Sequence, residues 1–174
     1  MPNYRRAREG SLFFFTLVTA RRRPLFEQAK VRQALREAVQ HVCRRYPFGI
    51  HGWVLLPDHL HCIWELPDTN YSRRWSMIKR LASQTLSSPV FMLSASQCAR
   101  REAGLWQRRF WEHRIRDGSD YQRHMDYLHW NPVKHGLIGR VADWPWSSFH
   151  RLQREGIYPL EWGGSGVETG DFGE

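Results

Sequence analysis

Leu55-Leu56-Pro57-Asp58-His59-Leu60-His61-Cys62-Ile63-Trp64 is the stretch on which the reading of this chain turns. Pro57-Asp58 is turn chemistry between two runs of apolar and aromatic residues, so residues 48–56 and 59–66 are expected to be the two strands of a hairpin. Side chains alternate along a strand. His59 and His61 therefore share one face, about 6 to 7 Å apart along the backbone, and Leu60, Cys62 and Trp64 share the other. Two imidazoles on one face are either half of a metal site or a pair of histidines on a solvated sheet surface.

Residues 11–19, rich in Phe, Thr and Val, read as a preceding strand. Val31, Ala34, Leu35, Ala38, Val39 and Val42 recur at helical spacing and predict an amphipathic helix over about residues 26–45. After the hairpin, Trp75, Ile78, Leu81, Ala82 and Thr85 define a second helix whose opposite side carries Arg73, Arg74 and Arg80. Residues 87–104 are ambiguous between helix end and loop. Residues 105–116 alternate as a fourth strand with faces Trp106/Arg108/Phe110 and Gln107/Arg109/Trp111. The order is βαββαβ, an α+β, ferredoxin-like split βαβ arrangement with an antiparallel sheet. Asp117-Gly118 stops the fourth strand, Ser119 with Gln122 reads as a capping box for a further helix, and Pro132 is expected to end it. Residues 1–160 form the expected domain. The Gly-rich, acidic stretch 161–174 is expected to be a disordered tail.

The 174 residues suffice for one domain with its own core. A formal charge of +9 and 26 basic residues against 17 acidic ones point to a polyanionic partner, nucleic acid above all. Of those 26 basic residues only Lys30, Lys79 and Lys134 are lysines; guanidinium suits phosphate forks and base stacking, although a GC-rich coding sequence produces the same bias. Cys43, Cys62 and Cys98 are widely spaced, which argues against a disulfide framework and a thiolate zinc site. No stretch is long and apolar enough for a membrane span, so a cytoplasmic location is expected.

On the last helix, 100° per residue places Tyr121, Met125 and Leu128 on one stripe, expected to pack on the sheet. Asp120, His124, Tyr127 and Asn131 fall on a second stripe, and His129 projects almost opposite Tyr127. Tyr121 thus reads as core and Tyr127 as a tyrosine in polar company, one turn from Asn131. Tyr127 is open to two readings: a half-buried aromatic with a surface hydroxyl, or a nucleophile beside a metal. A phenol with pKa near 10 needs a nearby cation to attack a phosphodiester at neutral pH.

The run Leu56-Pro57-Asp58-His59-Leu60-His61 resembles the His-hydrophobic-His motif of HUH single-tyrosine transposases. Residues 105–113, 127–137 and 143–148 extend the similarity to REP-associated tyrosine transposases, from the first strand to Phe149. The resemblance implies a ferredoxin-like domain that cuts and rejoins single-stranded DNA near a REP hairpin without ATP. It also implies that His59, His61 and Asn131 ligate a divalent ion, Mg²⁺ or Mn²⁺, and that Tyr127 forms a 5′-phosphotyrosine bond. For the DNA surface the candidates are Arg108, Arg109, Trp111, Arg73 and Arg74. Trp144 and Trp146 suit either base stacking or core packing. A non-catalytic nucleic-acid module and a hydrolytic metal nuclease are the competing readings, monomer and homodimer both remain open, and a nucleoid association follows from the DNA-transposase reading.

Overall fold

The computed structural model describes residues 11–85 and 105–163. Four strands, β1 (Ser11–Val18), β2 (Gly49–Leu55), β3 (His59–Leu66) and β4 (Trp111–Arg114), form one antiparallel sheet in the order β2-β3-β1-β4. Helices α1 (Ala29–Arg45) and α2 (Tyr71–Thr85) cover one face, and α3 (Gly118–Lys134) packs against the other, followed by the short α4 (Phe149–Arg154). This is the expected split βαβ sheet with an added helix.

Strand alternation divides the core in two. Phe13, Phe15, Leu17, Leu60, Cys62 and Trp64 face α1 and α2, where Trp64 stacks on Trp75 at 4.0 Å. Phe14, Val54, Leu56 and Ile63 face Met125 and Leu128 of α3. Because helices cover both faces, β3 is buried along almost its whole length. The solvated-surface reading of His59 and His61 is thereby overturned: they are 2% and 0% exposed. β2 carries a bulge between Ile50 and Gly52, and a Cβ on Gly52 would lie 2.7 Å from Met125 Sδ, so the missing side chain lets α3 approach the sheet closely.

Several local expectations need correction. The fourth strand spans only Trp111–Arg114, because Lys79 Nζ takes the Gln107 carbonyl and Trp106 makes only an isolated bridge to Thr19. Asp117, not Ser119, caps α3, its carboxylate accepting the Asp120 N–H at 2.8 Å. Pro132 lies inside α3 rather than ending it. The stop comes at Gly136, whose φ of +66° closes a Schellman turn with Gly136 N–H to Val133 O and Leu137 N–H to Pro132 O. Packing also passes the expected tail boundary, since Trp162 contacts Tyr158 and Phe149. Cys98, the 87–104 segment and nearly all of the tail fall outside the described residues.

Candidate active site

The site is built where β3, β1 and α3 meet. Register pairs Thr16 with His61 and Val18 with His59, and the Thr16 hydroxyl lies 2.9 Å from His61 Nδ1. His59 Nδ1 lies 2.6 Å from Asp58 Oδ1; a carboxylate only accepts, so Nδ1 carries the proton and Nε2 is left as the ring's ligand atom. Burial acts to raise the Asp58 pKa, but the hydrogen bond and charge of His59, with Arg22 at 3.2 Å, hold it below the usual value. Arg22 reaches Asp58 from a turn in which Arg21 and Arg22 both have positive φ, 58° and 49°. For residues with a Cβ this is strained backbone, held by the Thr19 hydroxyl donating to the Arg23 carbonyl.

The two imidazole rings are 4.9 Å apart, and the Tyr127 ring is 5.5 Å from that of His61. Tyr127 is fully buried, as is Asn131 one turn on; the polar stripe of α3 faces the sheet instead of solvent. Lys134 Nζ donates to the Tyr127 hydroxyl at 3.0 Å and lies 4.9 Å over its ring. The His135 ring approaches that of His59 to 5.3 Å. Sequence reasoning missed Lys134, although seven residues from Tyr127 is two helical turns on the same face. It also missed Asp58, the carboxylate next to His59 in sequence.

Tyr121 is only partly buried, so it is not simply core. Its hydroxyl is 3.0 Å from His51 Nδ1, and His51 Nε2 is 2.8 Å from Glu65. Burial pushes its pKa to about 12, against a weaker lowering by Arg151. His129 is buried on the side of α3 facing α4, at 2.9 Å from Ser148 Oγ, and burial drops its pKa to about 3.

A second cluster, which sequence reasoning had not assembled, joins β4 to α3. Ligand-capable atoms of His113, Asp120 and His124 lie within 4.8 Å of one another and could hold a metal ion. The Asp120 carboxylate already accepts from His113, the Arg116 backbone and side chain, and Arg123. Burial acts to raise its pKa, yet these hydrogen bonds and the His124 charge hold it far below the usual carboxylate range. Two guanidiniums on one carboxylate oppose a divalent cation, so the cluster serves better as a clamp on the start of α3. His124 passes the clamp to the site through Phe14, whose ring is 5.0 Å from His124 and 5.4 Å from His61.

Of the expected DNA contacts, Arg108 and Arg109 are exposed, and Arg73 is exposed over the Tyr46 ring. Trp111 is half-buried against Phe14, beside the site. Arg74 is a correction: it is buried, with its guanidinium committed to Asp68 and the carbonyls of Tyr46 and Pro47, because α2 turns it towards the chain rather than away. Trp144 is buried and donates to the Leu55 carbonyl, while Trp146 stays half-buried under Arg32.

A ferredoxin-like sheet with two buried, same-face histidines opposite a helical tyrosine defines the class of HUH single-tyrosine enzymes. Residues 11–129 match the family model described as IS200-like transposase. The chain is 42% identical over 167 residues to the REP-associated tyrosine transposase of Escherichia coli K12, covering 94% of this chain and 92% of that protein. A Haemophilus influenzae Rd relative is 42% identical over 168 residues, 95% of each. A solved REP-associated tyrosine transposase bound to a REP hairpin superposes with a TM-score of 0.78 at 42% identity, covering 100% of this chain and 98% of that one. The chain belongs to the IS200-like transposases, in the REP-associated tyrosine branch, and is an enzyme of DNA transposition. No helix among the described residues is long and apolar enough to cross a membrane.

Proposed function

We propose that this chain cleaves and rejoins single-stranded DNA beside a REP-type hairpin through a covalent bond to Tyr127, aided by a divalent ion. One observation carries the reading: the Tyr127 phenol is buried against His61 with the Lys134 ammonium 3.0 Å from its oxygen. The phenol oxygen attacks phosphorus, the P–O3′ bond breaks, and the 3′-hydroxyl leaves with a proton while a 5′-phosphotyrosine forms. Lys134 faces the charge that develops on the phenol oxygen as its proton departs. Rejoining reverses the exchange without ATP.

His59 and His61 fit a divalent ion, Mg²⁺ or Mn²⁺, because Asp58 and Thr16 occupy the Nδ1 side of each ring; Asn131 is the proposed third ligand. Such an ion, when bound, polarises the scissile phosphate. Asp58 and Arg22 keep His59 oriented. Tyr121 is committed to His51, which sits with Glu65 rather than with His59 and His61, so Tyr127 and not Tyr121 is the proposed nucleophile. The proposed catalytic domain is residues 1–160 with the Trp162 contact just beyond that boundary, Arg108, Arg109, Trp111 and Arg73 supply the DNA surface, and work on chromosomal DNA implies a nucleoid location in the cytoplasm.

The deciding experiment incubates the chain with hairpin DNA carrying single-stranded flanks and Mg²⁺ or Mn²⁺, then resolves protein–DNA adducts under denaturing conditions. An adduct in the wild type that disappears in Tyr127→Phe supports the reading. Cleavage at near-normal rate by Tyr127→Phe without any adduct assigns the attack to water and overturns it.

A further inference from the structure

A groove of about 750 Å³ opens between α1 and the edge of β2, lined by Trp53, Trp146, Arg32, Arg36 and Arg151 among others. Trp53, Ile50 and Leu55 belong to the core cluster on the α1 side of the sheet. The groove therefore lies across the sheet from His59, His61 and Tyr127 and takes no part in the chemistry described above. Residues 146–148 form its far wall by pairing with β2: Leu55 N–H reaches the Trp146 carbonyl at 2.9 Å and Ser148 N–H the Trp53 carbonyl at 2.8 Å.

We infer that this groove is a second nucleic-acid site, one that takes an unpaired nucleotide of the bound strand, with the base against the indoles and the phosphates at the arginines. The inference rests on the DNA reading above and goes beyond it by assigning a site remote from the tyrosine. Among the described residues, every charged side chain of the lining is an arginine, and the Glu155 carboxylate lies 3.4 Å from Arg151 Nη1 at the exposed side. Two of those arginines are fixed in advance. Arg32 donates to the carbonyls of Phe26 and Glu27, both at 2.7 Å, which holds its guanidinium 4.2 Å over the Trp146 ring. Arg151 donates to the His51 carbonyl at 2.9 Å and reaches that of Ile50 at 3.4 Å. Arg36 is exposed on α1. Trp146 is braced in turn by the buried Trp144, edge-on at 5.0 Å.

Ordered guanidiniums beside half-buried indoles suit a single strand, whose bases are free to stack, better than a duplex, whose bases already do. The volume falls within the range of small-ligand sites, enough for a nucleotide rather than a helix of DNA. A strand held on the catalytic face would reach the groove by passing around the β2 edge.

The test uses the full chain and a hairpin with 5-iododeoxyuridine placed in turn at each position of its single-stranded flanks. After irradiation, crosslinked peptides are mapped by mass spectrometry. The inference expects a flank position that crosslinks to Trp53 or Trp146. It further expects Arg36→Glu, an exposed change outside the catalytic site, to weaken binding of the flanked hairpin about fivefold at low salt while a flankless hairpin binds as before. Crosslinks confined to other residues, or equal affinity of Arg36→Glu and wild type for the flanked hairpin, overturn it. The Tyr127 adduct assay on the same DNAs separates the two levels: an adduct without a groove crosslink sinks this inference alone, whereas no adduct with any DNA sinks the reading it rests on.

Discussion

Lys134 Nζ donates to the Tyr127 hydroxyl across two turns of α3, at 3.0 Å. The pairing exists only because the helix runs through Pro132, which breaks one backbone hydrogen bond yet leaves the last turn closed by His135 N–H to Asn131 O and by the Schellman turn at Gly136. Had the helix stopped before Pro132, the ammonium would have no fixed place over the phenol.

Replacing Lys134 with Met should slow adduct formation about 10²-fold, the scale of one lost charge-stabilising donor, with hairpin affinity little changed. Lys134→Arg should recover part of the rate. A Lys134→Met rate within twofold of wild type, in single-turnover kinetics, would remove the ammonium from the reaction.

Asp58→Asn should weaken Mn²⁺ binding 10- to 100-fold, as expected when a carboxylate that orients a ligating imidazole is lost. His59→Ala with His61→Ala should abolish both Mn²⁺ binding and cleavage. Calorimetric titration of the protein without DNA reads the metal directly; unchanged Mn²⁺ affinity in the double variant would exclude these histidines as ligands.

Asp120→Ala should destabilise the fold by about 1–3 kcal/mol at neutral pH, because it removes the shared acceptor of His113, Arg116 and Arg123, whose partly exposed side chains water can then solvate. The folded-state pKa of Asp120 is depressed, so its contribution is whole above the unfolded value near 3.8 and is lost as pH falls below it. Urea denaturation at pH 7 and pH 3 checks this: the gap between wild type and variant should shrink at the lower pH.

His129 sets a different acid response. Buried and neutral, it titrates near 3 when folded and near 6.5 when unfolded, so the unfolded chain binds more protons between those values. Stability is complete above about 6.5 and declines towards pH 3 by up to about 1.4 kcal/mol per pH unit. His129→Gln, whose amide can still meet Ser148, should flatten stability across that window. An identical slope in the variant would show that other groups govern it.

Alternation and helical phase made much of this legible in the sequence. The bounds of β3, the shared face of His59 and His61, and the opposite face of Leu60, Cys62 and Trp64 all follow from a two-residue period. The phase of α3 likewise separates Tyr121 from Tyr127. Periodicity says which residues share a face but not what covers that face. So the stripe of α3 that carries Tyr127, left open in the sequence between a surface hydroxyl and a place beside the histidines, is buried against β1 and β3, and Arg74, phased with exposed arginines, is buried on Asp68.

Family, the succession of elements and the shared face of the two histidines were thus legible in the sequence alone, because short-range period and motif spacing do not depend on distant partners. Only the tertiary structure decided the rest. Thr16 meets His61 across 45 positions of chain, and His51 meets Tyr121 across 70. Arg32 covers Trp146 because the 146–148 segment returns to pair with β2. Such contacts are set by which surfaces the chain buries together, a global balance of apolar burial and hydrogen-bond satisfaction that no local window contains.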